Sequence, residues 1–279
     1  AVAWPPPPPP RSIVARETVD DRVSPFDVAV DVAPRALIVA RRGAVLLSAD
    51  MAQCELRVAA QLSGDETLRT CFSKAGDDPF VDVASKVNGV LGGSCDRAKA
   101  KQLVYAVLFG QSAAQTARDL GCDAARAVAA AAAVRELFPK LEAFRESTVE
   151  ACRERGFVET LEGRRRWLRK IHSRAAKERR SAERKALNTV VQGSAADLMK
   201  RAMAVLVARF RHRPDHERPR LVLQLHDELV FEVPRGEVNR CAREVTLVLE
   251  ELVTLPNVRT QVRLRLGPSW DALEDYAPP

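Results

Sequence analysis

The 279-residue chain contains no Cys-x-x-Cys pair, and its six cysteines (Cys54, Cys71, Cys95, Cys122, Cys152 and Cys241) are scattered, with no histidine placed to complete a zinc site. This argues against a zinc module and for reduced, structural thiols. No run approaches the ~18 apolar residues of a membrane span, and the N-terminus lacks the charged and apolar regions of a secretory signal. A soluble, intracellular protein with no membrane partner is expected. No internal repeat recurs at a fixed period. Acid is outnumbered by base, 37 Asp and Glu against 44 Lys and Arg, and the net charge of +7 favours a polyanionic partner without requiring one. The 46% hydrophobic content is enough to build the core of one large or two modest domains.

The opening AVAWPPPPPPRSIVARETVDDRV mixes a proline tract with charge, so residues 1–25 are expected to be extended or disordered. A start at Ala rather than Met reads as a fragment or an incomplete gene model. From residue 36, ALIVARRGAVLLSAD reads as short apolar strands separated by an RRG turn and ending at Asp50. Helical pattern or composition covers 51–63, 80–91, 96–109, 123–137, 141–155, 174–192 and 194–212. The alanine-rich run 124–133 is a strong helix former and carries no chemistry. Near the end, RLVLQLHDELVFEVP reads as a hairpin whose tip holds His226, Asp227 and Glu228. The fold class is α+β, with helices in the middle and strands at both ends.

In DRAKAKQLVYAVLFGQS, residues 96–112, Arg97, Lys101, Tyr105 and Phe109 recur every fourth residue before Gly110. On an α-helix they form one slanting stripe about 18 Å long. Two cations followed by two rings suit a ligand with a phosphate end and a flat end, as in a nucleoside triphosphate. An amphipathic helix with core-facing aromatics and solvated cations has the same pattern. A second row, Arg184, Asn188 and Gln192, repeats the spacing before Gly193 with groups that hydrogen-bond to phosphates, sugars and base edges. Amides on one helix face also read simply as surface. Upstream, GRRRWLRKIHSRAAKERRSAERK is the most basic stretch, readable as a solvated loop, an import signal or a phosphate-backbone contact.

Asp50 ends one strand, and Asp227 and Glu228 stand at the hairpin tip. Carboxylates gathered at adjacent strand ends repel unless protonated or bridged by a cation, and hard oxygen ligands suit Mg²⁺. Two such ions would serve an in-line displacement. A plain turn role for Asp227 is the alternative.

Taken together these segments resemble the family A DNA polymerases over roughly residues 25–265. LLSADMAQCELRVAAQLSGD resembles motif A, DRAKAKQLVYAVLFGQS motif B and LVLQLHDELVFEVP motif C, in the family's order. GFVETLEGRRRWLRKIHS and AERKALNTVVQGSAADLMKRAM resemble further family stretches. DDRVSPFDVAVDVAPRALIVARRG and GDDPFVDVASKV, with Phe80 where bacterial relatives usually carry His, look most like the theta and nu branch.

The resemblance implies that Asp50 and Asp227 bind two catalytic Mg²⁺ ions with Glu228 beside them. Glu55 would be the steric gate against a ribose 2′-hydroxyl, with Gln53 a neighbouring polar contact. Arg97 and Lys101 would hold the dNTP triphosphate, Lys101 also protonating pyrophosphate. Tyr105 would pack on the incoming sugar and base, and Phe109 and Gly110 would shape the templating pocket. Arg184, Asn188, Gln192 and His226 would contact primer-template DNA. It implies an antiparallel palm sheet with helical fingers, divided into palm at 26–66, mainly fingers at 67–192 and palm at 193–279, without thumb or exonuclease.

Met51, Ala52, Val104, Ala106 and Phe109 depart from the usual motif residues, and lowered fidelity is expected from the missing Phe109 hydroxyl. The function implied is DNA-directed DNA synthesis in repair, in the nucleus, with mitochondrion or plastid as the other compartments and a helicase domain in a longer product. The competing readings are a catalytically inactive nucleic-acid-binding fragment and a single-subunit RNA polymerase, the latter opposed by Glu55.

Overall fold

A computed structural model of the chain describes residues 33–73, 78–93 and 95–279. The proline tract, and the expectation that it is disordered, lie outside the described residues. The chain runs through β1 (Ala44–Met51), α1 (Cys54–Ser63), α2 (Glu66–Thr70), α3 (Pro79–Leu91), α4 (Arg97–Leu108), α5 (Ala113–Leu120), α6 (Ala124–Leu137) and α7 (Pro139–Arg155). It continues through β2 (Phe157–Glu159), β3 (Arg165–Trp167), α8 (Ala176–Phe210), β4 (Arg220–Leu225), β5 (Glu228–Pro234), α9 (Val238–Leu247), β6 (Val262–Gly267) and β7 (Glu274–Tyr276).

Helices α3, α4, α5 and α6 begin where short oxygen-bearing side chains occupy the N-cap. Asp78, Asp96, Ser112 and Asp123 each accept a backbone N–H of the first turn of α3, α4, α5 and α6. The α+β expectation holds. Five antiparallel strands stand in the order β4-β5-β1-β6-β7, and β2 and β3 form a separate hairpin.

Period-two alternation divides the main sheet into two faces. Leu47, Ala49 and Met51 of β1 and Leu229, Phe231 and Val233 of β5 join the core with Leu198, Met199, Ala202, Leu206 and Phe210 of α8 and Val245 of α9. Phe210 meets Phe231 edge-on at 6.0 Å between centroids, a favoured aromatic geometry. The alternate positions, Ser48, Asp50, Glu228, Glu232, Arg263 and Arg265, give the other face its polar character. The same core extends through Phe80, Val83, Leu103, Val104, Val134 and Phe138, joining α3, α4 and α6 into the helical part. A smaller cluster of Cys152, Val158, Leu168, Ile171, Ala182, Ala186 and Val190 lies under the β2–β3 hairpin.

Three expectations need correction. The apolar run before Arg41 forms a 3-10 turn at Pro34–Leu37 and then a single bridge from Val39 to Ser269, not a strand. Proline cannot donate to a ladder, and Leu37 and Val39 remain exposed. The two helices expected at 174–192 and 194–212 are one 35-residue helix, α8, continuous through Gly193. Glu228 is the first residue of β5 and is buried, outside the hairpin tip. In addition, α2, α5, α9, β2, β3, β6 and β7 fall where no element was expected.

Gly193 misleads because glycine serves two purposes. Here it admits the β2–β3 hairpin, since a Cβ would lie 2.7 Å from Thr160 Cγ2. Thr160 Oγ1 donates to Asp197 Oδ2 at 2.6 Å, Arg164 Nε to Asp197 Oδ1 at 3.0 Å, and the Leu161 N–H to Ser194 Oγ at 2.9 Å. An ordinary interior Gly→Ala change in a helix gains up to ~1 kcal/mol. Gly193→Ala is instead expected to cost about 1–2 kcal/mol through overpacking. Thermal unfolding should show a lower Tm, recovered when Thr160→Ser removes the opposing methyl.

Candidate active site

Asp50 lies near the end of central strand β1, and Asp227 in the two-residue turn between β4 and β5. The Met51 N–H donates to the Asp227 carbonyl at 3.0 Å, and Asp50 stands opposite Glu228 in register. Two carboxylates are thereby held at adjoining strand ends. Burial, then the charges of Asp227 and Glu228, push the Asp50 carboxyl above its ordinary range, partly offset by Arg265 and Arg263. The Glu228 carboxylate is itself engaged on this polar face by Ser48 Oγ at 2.5 Å, Arg265 Nη2 at 3.1 Å and Trp270 Nε1 at 3.3 Å.

The backbone on both sides of the pair is strained. Among the described residues Gln53 and His226, with φ of 56° and 53°, are the two non-glycines in the left-handed region, a conformation that costs roughly 1–2 kcal/mol. Such residues persist where their surroundings over-determine them. A buried arginine secures the first. Arg57, 3% exposed, donates through Nε to the Ala52 carbonyl at 2.7 Å and through Nη1 to the Arg259 carbonyl, with its guanidinium 4.4 Å from the Phe72 ring centroid. Burial lowers its pKa to about 10. Gln224 Nε2 donates to the His226 carbonyl at 2.7 Å and secures the second.

Glu55, in the first turn of α1, lies close enough to the Gln192 side chain of α8 for that amide to favour its ionised form. Its carboxyl is raised by burial first, with Gln192 opposing. Asp227 raises it further, and His226 and Lys101 lower it. The Tyr105 phenol is raised by burial, then by Glu55 and Asp227. Asp50, Glu55, Lys101, Tyr105, Gln192, His226 and Asp227, from five segments, thus lie close enough for their charges and dipoles to act within one cluster.

The row on α4 extends from it. Lys101 Nζ is 5.9 Å from the Tyr105 ring centroid, and the Tyr105 and Phe109 rings are 6.0 Å apart. Arg97 opens the helix, bound to Asp78 and lying 5.4 Å from the Phe80 centroid. Gly110 follows the helix end with φ of 65°. On α8, Arg184 and Gln192 are exposed and Asn188 is half-buried. Among the described residues, Asn188 Oδ1 and Gln53 Oε1 are buried without a hydrogen-bond partner, an arrangement that native proteins rarely leave unused.

The basic stretch is less uniform than its composition suggests. Arg164 is committed to Asp197, Arg165 to Glu159 at 2.7 Å, Arg166 to Thr189 at 2.8 Å and Lys170 to Glu178 at 2.6 Å. Of the residues near the cluster, Asp78 and Arg57 were missed by sequence reasoning. Asp-Pro at a helix start marks Asp78 as a cap, but nothing in the spacing marks it as the partner of Arg97.

A family model described as DNA polymerase family A matches residues 25–272. The chain is 41% identical to a thermostable DNA polymerase I of Thermus filiformis over 239 residues, which is 85% of this chain and 28% of that protein. It is 33% identical to DNA polymerase theta of Drosophila melanogaster over 240 residues, 83% of this chain and 12% of that one. In structure it resembles the POL domain of Pol1 from M. smegmatis in complex with DNA primer-template and dNTP, with a TM-score of 0.78 and 32% identity. That match covers 85% of this chain and 42% of the other. The chain thus spans less than a third of the length of these sequence relatives.

A raised carboxyl pKa means that the folded protein favours the neutral acid. The resulting penalty on folding is absent below the unfolded pKa, grows as pH rises from there towards the folded one and is complete above it. Asp50→Asn should therefore raise Tm of the metal-free protein at pH 7. With solvent screening of a half-exposed group the gain is ~1 kcal/mol or less, roughly 2–4 °C. Melting curves at pH 7 and in acid should show the gain shrinking as pH falls.

Proposed function

The chain belongs to DNA polymerase family A, and from that premise we propose that it adds dNTPs to a primer 3′ end on a DNA template. The observation that carries this reading is the convergence of Asp50 and Asp227 with Glu55, Lys101, Tyr105 and Gln192 beside a helix that presents two cations and two rings in sequence.

Among the described residues no group of three or more His, Cys, Asp or Glu forms a metal cage. The repelling pair Asp50 and Asp227 nevertheless fits Mg²⁺, which is typically held by one or two carboxylates plus waters and substrate phosphates. When bound there, one or two Mg²⁺ ions would supply Lewis-acid stabilisation of the attacking and leaving oxygens.

The chain's own groups do the positioning. Arg97 and Lys101, one turn apart in the positive N-terminal half of α4, take the triphosphate, and Lys101 gives a proton to the leaving pyrophosphate. Tyr105 packs against the incoming sugar and base, and Phe109 with Gly110 borders the templating base. Glu55, beside Gln192, occupies the space that a ribose 2′-hydroxyl would need. Arg184, Asn188, Gln192 and His226 contact the primer-template, where the unpartnered Asn188 oxygen would gain a donor.

Primer extension with Mg²⁺ and dNTPs tests the reading. Asp227→Ala should lower the rate by on the order of 10³-fold or more while salt-sensitive DNA binding is retained. Equal rates would contradict the assignment. Glu55→Ala should raise ribonucleotide use relative to dNTPs by roughly 10-fold or more, since the gate acts by exclusion. Phe109→Tyr, which adds a hydroxyl beside the templating base, should lower misinsertion in single-nucleotide assays.

A further inference from the structure

We propose that Asp78 is a positioning residue that pre-orients Arg97 for the triphosphate, an assignment that rests on the polymerase reading above. Asp78 is the N-cap of α3, and its two carboxylate oxygens have separate tasks. Oδ1 accepts the Phe80 N–H at 3.1 Å, while Oδ2 accepts Nε–H of Arg97. Pro79, at the first helical position, fixes the backbone that follows. The acid is therefore anchored by its own helix before it touches the arginine.

Arg97 is held on a second side. Its guanidinium carbon lies 5.4 Å from the centroid of Phe80, a fully buried ring that is itself 6.4 Å from Tyr105. Asp78 takes the Nε edge, and the Nη pair remains as the fork that binds a phosphate in two parallel hydrogen bonds. The Arg97 side chain is 49% exposed and that of Asp78 19%, so the acid is shielded and the arginine is open to solvent. One carboxylate, one ring and one helix start thus immobilise a long side chain that would otherwise lose its rotamer freedom on binding substrate. Ordering such a chain in advance improves affinity by about 3- to 10-fold.

The arrangement also connects the two ends of the α4 row. Phe80 touches both the guanidinium and Tyr105, so the phosphate-binding and ring-stacking parts share one buried support from α3. Asp78 and Phe80 thereby tie α3 to the cation-and-ring row of α4.

Asp78→Asn separates the clamp from the cap, because asparagine caps a helix as well as aspartate but carries no charge. Steady-state primer extension should show KM for dNTP raised about 3- to 10-fold, kcat within about 2-fold and an unchanged Tm. In an Arg97→Ala background the same change should leave KM where Arg97→Ala alone puts it. Titration of inorganic tripolyphosphate into the protein, followed by calorimetry, provides an arm independent of catalysis and should show the same weakening, again only when Arg97 is present. An unchanged or lowered KM, an equal effect without Arg97, or a lowered kcat at constant KM would overturn the proposal. Absence of extension by the unsubstituted protein would count against the polymerase reading alone, and tripolyphosphate binding would then decide the role of Asp78. Failure of the unsubstituted protein to bind tripolyphosphate would overturn it.

Discussion

The hydrogen bond from Met51 N–H to the Asp227 carbonyl, at the end of the β1–β5 ladder, is the constraint on which the site depends. It joins a strand end to a turn and places two acids side by side against their repulsion. A shift of one residue in this register would send Asp50 to the apolar face and Met51 to the polar one. The register is specified by burial, because Leu47, Ala49, Met51, Leu229 and Phe231 are fully buried on the face covered by α8 and α9. Hydrophobic packing on one face thus sustains an electrostatic cost on the other. The left-handed Gln53 and His226 and the clamp of Arg57 are local consequences of the same demand.

Around this pair, α8 has two duties. Phe210 and Leu206 in its C-terminal half pack on the sheet, while Gln192 reaches Glu55 and the β2–β3 hairpin closes over Gly193. A rigid continuous helix therefore connects the sheet core to the acid cluster. Helix α4, by contrast, is tied to the cluster through Lys101 and Tyr105 and to α3 through Arg97. The cations and the carboxylates come from different supports, so substrate charge would be met from two sides.

Much of this was legible in the sequence where one period dominates. The apolar run before Asp50 ends at a strand end, and the four-residue spacing in α4 and α8 survives as two real helix faces. What was not legible depends on partners distant along the chain. Glu228 follows Asp227 directly, yet Ser48, Arg265 and Trp270 engage it within the sheet. Gly193 looked like a break because its reason, Thr160, lies on a separate hairpin. The run ALIV looked like a strand because it is apolar, but its Leu37 and Val39 find no buried face. Arg97 and Asp78 share no periodicity at all.

Carbon-13 NMR of the Asp50 carboxyl, titrated with and without Mg²⁺ and a dNTP, tests the central claim most directly. The account predicts titration above the ordinary aspartate value of 3.8 in the metal-free protein and a marked downward shift when the cation is added. Titration at or below that value without metal, or a curve indifferent to Mg²⁺, would contradict it.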